Sequence, residues 1–303
     1  MPTEEPLPRS LVWATDIQVL PRSRVLERRD GYLVVRSPEN PSHHWGNFLL
    51  FDAPPAAGDG TRWEQLFEAE FPRPSGVAHR AFGWDRADGA LGEAPVEFAS
   101  RAYELEQIVG LSVLAGGARS HPRENREVTI AELDPGPGGD PQLWEQVVEI
   151  WVSSSEVEAA REATRRAFVR ARLGELRALF TTGMGSWYVA LDASRNEVVG
   201  CCGIVADGSR GRFQSVDTRA DWRRRGVCSR LVVEACRHSE REHGVERFVI
   251  AADAGYHALG LYESLGFEPV ERTAGVCLDP TDTRAGGDGD TAVAEGQRGA
   301  SAD

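Results

Sequence analysis

The chain has 303 residues, enough for two ordinary domains, and its 41% hydrophobic and 27% charged residues are the balance of a globular protein with a core. All 34 basic residues are arginine, which excludes Schiff-base lysines, pyridoxal-phosphate anchors and the Gly-Lys-Ser/Thr phosphate loop. A formal charge of −13 speaks against a protein that coats nucleic acid.

Up to about residue 24 the chain shows only a short apolar stretch. Short strands are expected at 32–36 and 47–51, with the loop of His43, His44 and Trp45 between them. The Pro/Gly/Ala-rich stretch 53–61 reads as loop. Helical spacing follows at 63–71 (Trp63, Leu66, Phe67, Phe71) and stops at Pro72. A strand is expected at 77–84, a short helix at 95–102 and a strand or strand pair at 104–114. A new unit begins near Arg126 with a strand at 128–132, just before the breaker cluster 134–141.

Helices are then expected at 142–152 and 155–180. On the second, Val157, Ala160, Thr164, Phe168 and Ala171 form an apolar stripe, and the arginines between 161 and 177 read as a solvated face. Strands at 186–191, 197–205 and 212–218 precede a strong helix at 227–242. A strand at 248–252, a helix at 257–265 and a strand at 270–278 complete the pattern. The Gly/Ala/Asp-rich tail from Thr281 reads as disordered. No run reaches 18 apolar residues, and residues 1–10 lack a secretory apolar core. No membrane partner and a cytoplasmic setting are the expectation. The five cysteines lack Cys-x-x-Cys spacing, so free buried thiols and no metal are expected.

The two halves echo each other. Strand, Gly-containing loop, helix, strand, short helix and strand recur in that order. Phe98, on the first short helix, falls where Tyr262 falls on the second.

The segment 215–231 carries the chemistry. A strand ends at Thr218, a tight Arg-rich loop with Gly226 follows, and a helix opens. Amides at such a turn point outward unpaired, and the helix dipole adds partial positive charge. An anion or phosphate site and an ordinary strand–helix turn both fit this segment alone.

A second segment, Ala258 to Phe267, reads Ala-Leu-Gly-Leu-Tyr-Glu-Ser-Leu-Gly-Phe. Here the sequence resembles the GNAT superfamily of acetyl-CoA-dependent N-acetyltransferases. The family's pyrophosphate loop, Gln/Arg-x-x-Gly-x-Gly/Ala, is matched by Arg223 and Gly226, with Cys228 in place of the final small residue. Its later signature, Ala-x-x-Leu-Tyr-x-x-Leu-Gly-Phe, is matched in full. The resemblance covers about half of the chain, and the N-terminal half resembles a degenerate copy, as in tandem GNAT proteins.

The resemblance implies an α/β fold, a mixed sheet flanked by helices, with a degenerate GNAT-like domain at 1–124, an acetyl-CoA-binding domain at 125–280 and a tail at 281–303. The main chain of Val216, Asp217 and Thr218 would hold the pantetheine arm. The loop of Arg223, Arg224, Arg225, Gly226, Val227, Cys228 and Ser229 would cradle the pyrophosphate. Tyr262 would protonate the leaving thiolate as a primary amine, on a small molecule or a peptide, attacks the thioester directly. A phenol with a pKa of about 10 stays protonated at neutral pH and suits that role. A backbone N–H on the Val216 strand would serve the oxyanion. Asp217, Glu132 and Asp253 are candidate bases by position, and each also fits a structural role. His257 reads better as a cap or solvent group.

Gly255 stands where many members carry an asparagine. The first-half loop 56–62 keeps Gly58 and Gly60 with a single arginine, and Phe98 lacks the hydroxyl. That half is expected neither to bind acetyl-CoA well nor to catalyse. A non-catalytic acyl-CoA sensor is the alternative, and a larger acyl group is also compatible. His43 with His44, and His238 with His243 five residues apart, do not have metal-ligand geometry.

Overall fold

The computed structural model describes residues 7–154, 161–192, 194–255 and 258–279. The expected tail from Thr281 lies outside them, as do the first turns of the helix expected at 155–180. The chain divides into two compact units. Among the described residues, one comprises 7–109 and 271–279 and the other lies within 110–270.

The first unit opens with α1 (Leu11–Gln18) and β1 (Val25–Arg29), which the sequence pattern did not disclose. Seven of the eight α1 residues are buried, so no amphipathic stripe marks the helix. Its N-terminus is held by Glu271, which accepts from the Ser10 hydroxyl at 2.8 Å and the Leu11 amide at 3.0 Å.

β2 (Tyr32–Arg36), β3 (Phe48–Phe51), α2 (Asp59–Glu70), β4 (Arg80–Trp84), α3 (Ala94–Glu97) and β5 (Glu104–Leu114) follow near their expected places. α2 starts earlier than the loop-like composition of 53–61 suggests. Gly58 takes a left-handed φ of +87°, and Asp59, Gly60 and Thr61 wind into the first turn behind it. β1–β2 and β2–β3 pair antiparallel, whereas β3–β4 is parallel. Trp63, Phe51, Phe67, Phe82 and Phe98 fill the core.

The second unit holds β6 (Thr129–Leu133), α4 (Pro141–Ser153), α5 (Glu162–Phe180), β7 (Gly185–Asp192), β8 (Glu197–Asp207), β9 (Arg210–Thr218), α6 (Val227–His243), β10 (Arg247–Asp253) and α7 (Leu259–Ser264). Its strands lie in the order β6-β7-β8-β9-β10, antiparallel up to β9 and parallel between β9 and β10. Asp140 caps α4 by accepting from the Gln142 amide at 2.8 Å, and Pro141 occupies its first turn. Trp144, Trp151 and Phe180 pack around Trp187 of β7. α6 buries Val227, Leu231, Val232, Ala235 and Cys236 and stops at left-handed Gly244. β11 (Glu268–Leu278) closes the described chain, and its Gly275–Leu278 pair antiparallel with β4.

The expected stripe on α5 is displaced. The buried residues are Arg165, Val169, Arg172, Leu173, Leu176, Leu179 and Phe180, while Thr164 and Ala171 are exposed. Arg165 donates to the Val152 and Trp151 carbonyls that end α4, at 3.1 and 3.0 Å. Two arginines expected in solvent therefore lie inside the fold. All five cysteines are free and buried.

Candidate functional site

β9 and β10 pair over three positions, Arg247 with Arg210, Phe248 with Gly211 and Val249 with Arg212. Both strands continue, to Thr218 and to Asp253, without pairing to each other. Beyond Arg212 and Val249 a wedge opens between two parallel strands whose facing main-chain groups do not pair with each other, the arrangement an extended ligand needs to add as a strand would. On its other edge β9 bulges against β8. Gly203 faces Gln214 and Cys201 faces Asp217, so Ser215 and Val216 stand opposite one residue, Cys202. Ser215 adopts a left-handed φ of +46°.

The strand–helix turn follows directly. The Arg219 amide donates to the Val199 carbonyl at 3.0 Å, and Ala220–Trp222 form a single 3-10 turn. Arg223 folds back to donate from Nε to the Thr218 carbonyl at 3.2 Å. Arg224 is left-handed at φ +58° and Gly226 at +75°. Two left-handed residues this close turn successive amides the same way. Among the described residues, the amides of Arg224, Gly226, Val227 and Ser229 have no acceptor. The Arg224 and Arg225 side chains are exposed, Arg225 lying over the Trp222 ring at 5.1 Å. Val227, Cys228 and Ser229 are buried.

The segment before β6 buttresses this turn. The Asn125 amide donates to the Gly226 carbonyl at 3.0 Å, and Glu124 pairs with Arg230 at 3.5 Å. A Cβ on Gly226 would sit 1.9 Å from the Arg123 carbonyl oxygen, so glycine is required by space as well as by φ.

The Tyr262 side chain on α7 is fully buried, edge-on to Phe267 at 6.2 Å. Asp217 is buried on β9, and Val216 and Thr218 are buried beside it. Asp253 ends β10 and accepts from the Gly255 amide at 2.7 Å. His257 lies outside the described residues.

Glu132 is not at this site. It lies on β6, three strands from β9, and accepts from the Ser186 hydroxyl, which sits 2.8 Å from His243 Nε2. His238 Nε2 lies 3.5 Å from the same carboxylate, and its Nδ1 is 3.2 Å from the Tyr188 hydroxyl. Two histidines five residues apart thus join one network, His238 beside the Glu132 carboxylate and His243 through the Ser186 hydroxyl, because β6 and β7 present Glu132 and Ser186 between them. Burial holds His243 below its ordinary pKa, against the pull of Glu132.

The first unit repeats the plan with a different outcome. β3 and β4 stay paired through Phe51 and Trp84, and the Asp85 amide continues to the Phe51 carbonyl at 2.7 Å. The amides of Gly58 and Gly60, at the start of α2, donate to the Glu97 carboxylate at 2.7 and 3.1 Å. Those bonds hold the Glu97 pKa below its usual range. Phe98 packs against Trp63, Phe82 and Tyr103. Among the described residues, these positions hold paired strand ends, turn amides bonded to a carboxylate, and a phenylalanine in place of a phenol.

Residues 184–269, the span of the wedge, the turn and Tyr262, match the family model of the acetyltransferase (GNAT) domain. The chain carries a GNAT domain. Among curated proteins no sequence relative is found. Solved structures resemble it over most of its length. A GCN5-related N-acetyltransferase from Kribbella flavida is 14% identical, with TM-score 0.57 over 87% of this chain and 92% of that one. A tandem GNAT protein from the clavulanic acid biosynthesis pathway is 14% identical, with TM-score 0.53 over 92% of each chain. A functionally unknown conserved protein from Staphylococcus epidermidis ATCC 12228 is 12% identical, with TM-score 0.66 over 84% of this chain and 94% of that one. At these identities the likeness is one of fold. A GNAT-domain match over 184–269 and the mixed α/β architecture expected from the motifs are both found.

Proposed function

We propose that the second unit is an acetyl-CoA-dependent N-acetyltransferase acting on a primary amine, and that the first unit does not bind the cofactor. The observation that carries this reading is the opening between β9 and β10, leading straight into a turn of unpaired amides. Acetyl-CoA supplies an acyl thioester. Val216, Asp217 and Thr218 would hold its extended arm by main-chain hydrogen bonds. The amides of the 224–229 turn, with the arginines beside it, would hold its pyrophosphate, and partial positive charge at the helix start favours that anion. At the bulge, an amide of Ser215 or Val216 donates to the oxygen that gains charge as the amine attacks. Tyr262 gives its phenolic proton to the departing sulfur as the carbon–sulfur bond breaks, and the proton that the amine nitrogen sheds passes to solvent, from which the phenolate is reprotonated. The likeness to one solved tandem GNAT protein supports two such folds in this chain, and the carboxylate at Gly58 and Gly60 supports an inert first copy.

The test mixes the full chain with acetyl-CoA and a panel of amines and follows free thiol. Thiol release that depends on one amine class supports the reading. Thermal stabilisation by acetyl-CoA with no thiol released from any amine would instead make the protein an acyl-CoA sensor.

A further inference from the structure

Arg172 is a cation in an unexpected place. It lies on α5 with none of its surface exposed, pairs with Glu175 one turn on at 2.9 Å, and donates to Gln214 Oε1 at 3.4 Å. Gln214, itself 4% exposed, donates from Nε2 to the carbonyl of Phe213 at 2.8 Å. The next two residues are the bulge, with Ser215 in its left-handed conformation.

Burying a guanidinium costs several kcal/mol before its partners are counted, and an apolar side chain of similar size is often as stable or better. Stability alone does not explain Arg172. A left-handed non-glycine residue persists only where the surroundings over-determine it. Around Ser215 they are thin, because β9 has already parted from β10 after Arg212 and is held laterally by β8 alone. The Arg172–Gln214 contact grips the strand from the α5 face, one residue before the bulge.

We infer that Arg172 is a positioning residue for the acyl-transfer site: through Gln214 it fixes the β9 bulge, and so aims the Ser215 and Val216 amides into the wedge. The inference rests on the function proposed above, but its structural half is measurable without turnover. Arg172 holds the bulge, which supplies the oxyanion amide but only one of the three residues assigned to the arm and none of the pyrophosphate turn, so it governs kcat far more than cofactor affinity. Glu175 supplies the countercharge that lets the guanidinium stay buried.

The experiment compares wild type with Arg172→Met by amide hydrogen exchange over residues 213–217, by calorimetry with coenzyme A, and by kinetics on any amine found in the panel. Exchange at Ser215 and Val216 should rise by roughly tenfold or more while β7 and α6 stay protected. Coenzyme A affinity should stay within about threefold, and kcat should fall at least roughly tenfold. Should Arg172→Met fail to fold, Gln214→Leu carries the same expectations. Unchanged exchange at the bulge, in whichever of the two variants folds, overturns the inference. So does a kcat per folded molecule equal to wild type. A wild-type protein that binds coenzyme A and acetylates no amine defeats the proposed function alone, and the exchange measurement still decides whether Arg172 holds the bulge.

Discussion

Gly226→Ala tests the turn most directly. The variant places an L side chain at φ +75°, which costs about 1–2 kcal/mol by itself. Its Cβ would also stand 1.9 Å from the Arg123 carbonyl oxygen. Carbon and oxygen settle no closer than about 3.3 Å, so the turn and the 123–125 segment must part by about 1.4 Å. That breaks the Asn125-to-Gly226 hydrogen bond, worth about 1 kcal/mol net. The expected destabilisation is about 2–3 kcal/mol. A shift beyond 1 Å also takes amide donors out of hydrogen-bonding range of a bound pyrophosphate. Losing two charge-assisted bonds at about 1.5 kcal/mol each weakens coenzyme A binding roughly a hundredfold.

Gly58→Ala is the control. Gly58 has φ +87° and nothing within 4 Å of a new Cβ, so it carries the conformational cost alone and should leave coenzyme A binding unchanged. Denaturant titration and calorimetry on both variants decide the matter. Equal destabilisation of the two, or wild-type coenzyme A affinity in Gly226→Ala, would refute the assignment of this turn as the pyrophosphate seat.

Other outcomes follow from the same geometry. Tyr262→Phe should leave coenzyme A affinity nearly unchanged and lower turnover at least roughly tenfold, as loss of a general acid does; equal turnover would remove the phenol from the mechanism. His79 is buried, its Nε2 2.9 Å from the Asn47 carbonyl, and burial lowers its pKa to about 4. A histidine depressed in the folded state contributes stability above its unfolded pKa of about 6.5, and that contribution is lost as pH falls towards 4. Between pH 7 and pH 5 the loss should be about 2 kcal/mol, and His79→Gln should remove that part of the pH slope; parallel slopes in denaturant titrations would contradict it. Glu97→Ala should lower the melting temperature, since the Gly58 and Gly60 amides lose their acceptor. Calorimetry should still find a single equivalent of coenzyme A bound per chain, and two equivalents in the wild type would show that the first cradle is open.

Most strands and helices of the second unit were legible because their patterns are local. Short continuous apolar runs such as 186–191, bounded by turn residues, and the apolar face of 227–236 each point to one structure, and the motif around Tyr262 adds an ordered landmark. What the pattern hid depends on tertiary partners. α1 is buried on nearly every side, so its composition has no contrast to read. The α5 stripe was phased on Thr164 and Ala171, yet Val169, Leu173, Leu176 and Phe180 carry it, and Arg165 and Arg172 share their spacing. A rule that puts arginine in solvent could not place them, because the carbonyls ending α4 and the side chain of Gln214 satisfy them. The β9–β10 wedge and the bulge at Ser215 are properties of pairing, which no single strand announces. The Glu132 network arises the same way, from three elements that meet only in the fold.

The carboxylate of Glu97 is, in effect, a ligand covalently attached to its receptor. A tethered group competes at an effective concentration in the millimolar range or above, whatever the solution contains. On the function proposed above, free phosphate or nucleotide would meet a seat already taken in this half. Once one copy of a duplicated fold carries its own occupant, its neighbouring positions are released from any duty to a diffusing one. The aromatic packing around Phe98 is what such a released position can become.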